Sequence, residues 1–232
     1  MTDQSDQILL SNWYRHADAK SFKEITIRHA QMVYSTAFRL LKNPTEAEDV
    51  AQESFLELAT TKRPPTRNAA AWLHRTTYRK ALNAMRTDSR RRKREISYTG
   101  DQQTQVSEWE DIKEHVDQAV TDLPEKFRGP IIMHFFENQS QTDIANSMDL
   151  SRQVIHYRIG KGIEQVRQNL KQNGIKTWAS GILVPVIQQN AVSTVPKTLA
   201  AGLGQIALGS APSPLAGASI FAGGFFLGHC RR

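Results

Sequence analysis

The chain has 232 residues, enough for one large domain or two small ones with cores of their own. Its net charge is +7 and Cys230 is its only cysteine, which excludes a disulfide framework and a cysteine-built zinc site. No Gly-rich phosphate loop, metal-ligand spacing or nucleophile–base pair emerges, so neither an enzyme nor a bound cofactor or metal is expected.

The N-terminus, MTDQSDQILLSNWYRH, has no basic segment followed by an apolar run, so no secretory signal is read and a cytoplasmic chain is expected. FKEITIRHAQMVYSTAFRLL (22–41) brings Phe22, Ile25, Val33, Ala37 and Leu40/Leu41 near a 3.6-residue period, which predicts a helix with one buried stripe. A second helix is predicted over NPTEAEDVAQESFLELA (43–59). Asn43 can cap it, Pro44 suits the first helical position and Glu46 completes a capping-box spacing. Ala47, Val50, Ala51, Ser54 and Leu58 face inward on this reading. Asp49, Gln52, Glu53 and Leu56 fall on another face at i, i+3, i+4 and i+7, and spacing alone favours a solvated acidic face for them.

TKRPPTRN (61–68) is a loop, because adjacent prolines cannot continue a helix. A third helix runs from about Ala69 through the arginine run. Residues 62–94 carry 12 basic groups against 1 acid, the densest charge in the chain. Trp72, Leu73, Thr76, Leu82 and Met85 supply its apolar side, with Trp72 favoured as part of a packing seam. Arg75, Arg79, Lys80, Asn83 and Arg86 project together on another side, followed by Arg90, Arg91 and Arg92. A solvated face usually alternates sign, whereas a one-sign block suits a polyanion. Arginine, asparagine and an aromatic on one helix suit phosphate contact, base edges and stacking on unpaired bases.

Residues 95–117 are polar and acidic, too poor in apolar groups for a core of their own, and are read as a flexible linker. The second module, 118–172, carries a helix-turn-helix pattern. SQTDIANSM is the first helix, with Ile144 facing the core and small Ala145 at the helix crossing; MDLS is the turn, and Ser151 caps the second helix. Ile155, Ile159, Ile163, Val166 and Leu170 form the inward stripe. Arg152, Gln153, His156 and Tyr157 share the opposite face, flanked by Arg158 and Lys161: donors for base edges in front, cations for phosphate at the sides. Gly160 and Gly162 inside this helix each lower its propensity by about 1 kcal/mol relative to Ala.

These three stretches together resemble the bacterial RNA polymerase sigma factors of the extracytoplasmic-function subfamily. The resemblance covers about 22–94 as sigma region 2 and 118–171 as region 4, which sets the expected domains at 1–94 and 118–172. It implies an all-α fold of two small helical domains, and it turns Asp49, Gln52, Glu53 and Leu56 from a solvated face into a docking surface for core RNA polymerase. It implies that the third helix engages and melts the start-proximal promoter element and that the helix-turn-helix, from Ser151 to Lys161, reads the upstream element of promoter DNA. It also admits an anti-sigma factor as a partner. Family members often carry Asn and Asp four residues apart on the third helix, where this chain has Arg79 and Asn83. The usual glycine of the turn is Asp149, which can adopt a left-handed conformation.

The tail, 173–232, has no acidic residue, and 198–230 has no charged residue at all. LAGASIFAGGFFLG (215–228) is shorter than the roughly 20 apolar residues that a spanning helix needs. An apolar tail that packs on the modules or a partner is therefore favoured over a membrane anchor. Two other readings compete with the sigma factor. One is a helix-turn-helix regulator that works without polymerase, and the other is a membrane-tethered regulator for which only the tail speaks.

Overall fold

The computed structural model describes residues 5–62, 65, 68–96, 108–173 and 196, and side chains throughout these except 88–96 and 108–114. The tail and the middle of the acidic stretch thus lie outside the described residues. Four helices come first in chain order: α1 (Asp6–His16), α2 (Ala19–Leu41), α3 (Pro44–Thr60) and α4 (Ala69–Ile96). Then follow α5 (Glu108–Thr121), α6 (Glu125–Ile131), a π-turn (Ile132–Phe136), α7 (Gln141–Met148) and α8 (Arg152–Gln172).

Local chemistry sets the helix ends. Ala17 takes a left-handed conformation at φ 52°, closing α1, and Asp18 then accepts from the Lys20 and Ser21 N–H groups to open α2. The same device recurs one helix later. Lys42, at φ 56°, closes α2, and Asn43 Oδ1 accepts from the Thr45 and Glu46 N–H groups, with Pro44 in the first turn of α3. Glu46 completes this cap through the Asn43 side chain, accepting from Nδ2 at 3.2 Å.

The expected stripes are buried. Phe22, Ile25, Val33, Ala37 and Leu40 of α2 face Ala47, Val50, Ala51, Phe55 and Leu58 of α3 and Leu73 of α4 in the core. Each large side chain removed from water here contributes about 1.5–3 kcal/mol. Trp72, Leu82 and Met85 pack against this core as a partly buried seam. Helix α1 has no counterpart in the sequence reading. It buries Leu9, Leu10 and Trp13, and the Trp13 ring lies 4.6 Å from that of Phe22. Trp13 Nε1 donates to the Ala59 carbonyl at 3.1 Å, tying α1 to the end of α3.

The flexible reading of 95–117 needs correcting at both ends. Helix α4 continues to Ile96, and α5 begins at Glu108, so the boundary drawn before 118 cuts a helix. Asp117, assigned to the linker, is fully buried and accepts two hydrogen bonds from Arg39 of α2, at 2.9 and 2.8 Å. The helix-turn-helix module also packs differently from a tethered unit: one continuous buried cluster runs from Leu9 of α1 to Leu170 of α8. Across the junction His29 lies 2.5 Å from Glu137, while its other ring nitrogen is 2.9 Å from Asp6 of its own module, and Asn68 Nδ2 donates to Met133 Sδ at 3.1 Å. Arg39 also sits 5.3 Å over the Phe136 ring.

Pro130 inside α6 has no N–H to give, and the helix widens directly after it, with Glu137 N–H donating to the Ile132 carbonyl at 3.2 Å. Gly162 lets α8 cross close to α6, since a Cβ there would lie 2.5 Å from Ile131 Cδ1.

Candidate nucleic-acid interface

Helix α3 divides its residues cleanly. Val50, Ala51, Ser54 and Leu58 point into the core, while Asp49 and Glu53 are exposed, Gln52 is partly buried and Leu56 is 43% exposed. An acidic pair flanking an open leucine is a surface that offers both charge and apolar area. Among the described residues, no side chain covers that leucine to the usual extent of a core residue.

On α4 the set Arg75, Arg79, Asn83 and Arg86 is exposed, and Lys80 is partly buried. Arg90, Arg91 and Arg92 extend the same helix by backbone; their side chains lie outside what is described. The two sets meet. A groove of about 520 Å³ is walled by Asp49 and Glu53 from α3 and by Lys80 and Asn83 from α4. Lys80 Nζ lies 3.4 Å from Glu53 Oε2 and 3.1 Å from Glu57 Oε2, and Arg79 donates to Glu57 at 3.3 Å. Sequence reading passed over Glu57, although its place four residues after Glu53 set it on the same side of α3.

The third set lies on the turn and α8. Asp149 is left-handed at φ 53°, its N–H on the end of α7, and Ser151 Oγ accepts from the Val154 N–H at 3.3 Å. Asp thus does the work of the glycine usual at that turn, because it tolerates this conformation. Ile144, Ala145, Ile155, Ile159, Val166 and Leu170 are buried, as the inward stripe requires, while Ile163 is partly buried. Arg152, Gln153, His156 and Tyr157 are exposed, the last at 61%, and Arg158 is partly buried beside them. Lys161 is exposed but engaged: its Nζ is 2.8 Å from Glu164 Oε2, a hydrogen bond that raises the lysine pKa and lowers that of the glutamate.

The charged groups behind these surfaces belong to the module junction. Burial pushes the Asp117 carboxyl up, but the Arg39 guanidinium and the His74 ring outweigh it and hold the pKa at about 2. Burial would lower the His29 pKa, yet the Glu137 and Asp6 carboxylates carry it well above the ordinary imidazole value. His74 goes the other way. Burial and the Arg39 and Arg128 charges lower its pKa, and its Nε2 is 3.5 Å from Asp117, close enough for attraction but without a hydrogen bond. These residues sit at separations of up to 108 positions, so no periodicity could have signalled them. A polar cleft of about 650 Å³ at this junction is lined by Asp6, Arg28, Asn68, Met133 and Glu137 among others, and by no residue of the three sets.

An exposed acidic face with an open leucine, a basic helix and a helix-turn-helix thus occur in one chain in that order. The sigma-70 region 2 family matches residues 26–91, from within α2 to the basic part of α4. The ECF RNA polymerase sigma factor SigE of Mycolicibacterium smegmatis is 26% identical over 170 residues, 69% of this chain and 65% of that one. The ECF RNA polymerase sigma factor SigW of Bacillus subtilis is 25% identical over 179 residues, 68% of this chain and 92% of the relative. By these matches the chain is similar to extracytoplasmic-function sigma factors, with the family model covering its region 2 stretch alone. The chain spans just under two thirds of the SigE relative and nearly all of SigW. A solved structure of CnrH in complex with the cytosolic domain of CnrY is similar at 20% identity, covering 73% of this chain and 99% of that one, with a TM-score of 0.34. At that overlap the likeness adds nothing to the assignment. Among the described residues, no helix is long and apolar enough to cross a membrane.

Proposed function

We propose that the three residue sets divide the work of a promoter-specificity subunit. Asp49, Gln52, Glu53 and Leu56 dock on core RNA polymerase. The α4 cations and Asn83 hold the start-proximal element as its strands part, and Arg152, Gln153, His156 and Tyr157 read the upstream element. The sigma factor binds polymerase and directs it to promoters; the chemistry of transcription is the polymerase's, and this chain contributes binding energy alone. Its place of work is the cytoplasm, with core polymerase and promoter DNA as partners and an anti-sigma factor as a further candidate.

The observation that carries this reading is the exposed Asp49–Glu53–Leu56 face beside the α4 cations, within the region 2 match. A stand-alone helix-turn-helix regulator has no use for either feature. The basic run at 86–94 fits the same division, since phosphate charge supplies affinity while aromatic and asparagine side chains hold individual bases.

The test is transcription with purified core polymerase on a genomic promoter library. Asp49→Lys with Glu53→Lys should cut co-purification with core by about tenfold or more, the change that a loss of about 1.4 kcal/mol gives. Helical content should be unchanged, because both side chains are exposed. Undiminished association of the double variant with core would remove the docking assignment.

A further inference from the structure

Glu57 belongs to neither the docking set nor the DNA set, yet it bonds members of the latter. Its Oε1 accepts from Arg79 Nη2 at 3.3 Å, and its Oε2 lies 3.1 Å from Lys80 Nζ. Lys80 also reaches Glu53 Oε2 at 3.4 Å. Two cations assigned to DNA are therefore paired, in the free chain, with acids of the helix assigned to polymerase. The Arg79 side chain is 61% exposed, Glu57 35% and Lys80 23%. Ion pairs this accessible are weak and exchange readily, so a phosphate can displace the carboxylates but must compete with them.

Glu53 stands in both relations. A polymerase that takes its carboxylate removes one of the two partners of Lys80, on the shared wall of the α3–α4 groove. We propose that Glu57 is a positioning residue that, with Glu53, holds Lys80 and Arg79 against α3 in the free chain, so that polymerase docking and DNA binding promote one another. The coupling is reciprocal: DNA that draws Lys80 away leaves Glu53 free for polymerase by the same factor. The inference rests on the assignment of the α3 and α4 faces given above.

The test uses the full chain without polymerase, titrated against a fluorescent oligothymidylate over a range of salt. Glu57→Gln should bind about three- to fivefold tighter, the scale of exposed ion pairs. Its plot of log affinity against log salt should steepen by about 0.7 for each cation released onto a single strand. The gain should vanish when Arg79→Gln and Lys80→Gln are added. Glu46→Gln controls for the mere loss of an acid: Glu46 lines the same groove but bonds Asn43, at 3.2 Å. Its smaller effect should persist in the Arg79→Gln, Lys80→Gln background. If Glu57→Gln gains no more than Glu46→Gln while Lys80→Gln still weakens binding, the masking role is wrong and the DNA face stands. If Arg79→Gln with Lys80→Gln leaves binding unchanged in either background, the DNA face itself falls, and the proposal with it.

Discussion

Two glycines two positions apart in α8 have opposite meanings. Gly160 is exposed, and a Cβ there meets nothing within 4 Å. Gly160→Ala should therefore stabilise the chain by about 1 kcal/mol through helix propensity. Gly162 is buried against α6, where a Cβ would approach Ile131 Cδ1 to 2.5 Å and Cγ1 to 3.2 Å. Ile131 is fully buried, so its side chain would have to shift within the packed core. Overpacking of that kind costs about 1–3 kcal/mol, more than the propensity gain, so Gly162→Ala should lower stability despite making a better helix former. Urea denaturation of both variants checks the pair, and a stabilised Gly162→Ala would contradict the close crossing.

At the scale of the element, the division proposed for α8 sets base-reading groups apart from phosphate-holding ones, and the two classes are separable by experiment. Arg152, Gln153 and His156 are exposed and lie in the first turns after the Ser151 cap. Alanine at any of them should relax preference for the upstream element, by about 1–3 kcal/mol for a good bidentate contact. Arg158→Ala should instead weaken all sequences alike and lower the salt slope by about one unit. Lys161→Ala should change the slope less than Arg158→Ala, because Lys161 already holds Glu164 at 2.8 Å and a phosphate must displace that carboxylate. Binding titrations on matched and mismatched DNA at several salt concentrations separate the two classes. Equal loss on every sequence from Arg152→Ala would move that residue to the phosphate class.

At the scale of the molecule, the junction between the helical modules makes stability depend on pH in three windows. The Asp117 pKa is depressed from 3.8 to about 2, so its contribution is present above about 4 and is lost as pH falls through about 2. That shift corresponds to about 2 kcal/mol. The His29 pKa is raised, so its contribution is complete below the unfolded value of about 6.5 and disappears as pH rises through the higher folded value. The His74 pKa is lowered, so its contribution runs the other way and is lost as pH falls below about 6.5. Denaturation across pH should show His29→Gln losing the alkaline decline of the parent chain, and His74→Gln losing part of the acid decline. Identical profiles for the parent and both variants would mean that these rings do not titrate with folding.

Much of the fold was legible because its causes are local. The Asn43–Pro44 start, the Ser151 cap, the left-handed Asp149 and the apolar stripes of α2, α3 and α8 depend on neighbours within a few positions, which any sequence displays. The same holds for which α3 and α8 residues are exposed, since the helical period alone assigns their faces. Helix α1 escaped because it is only 11 residues long and its anchor, Trp13 on Ala59, spans 46 positions. At the described ends of 95–117 the linker reading gave way for a related reason. Acidic composition argues for solvent, but Asp117 is buried because Arg39, 78 positions away, meets it with two hydrogen bonds. Pairing of Lys80 and Arg79 with Glu53 and Glu57 likewise depends on how α3 lies along α4. Helix identity and facing are properties of the chain's own period; which charges neutralise one another is decided only when distant helices are packed together.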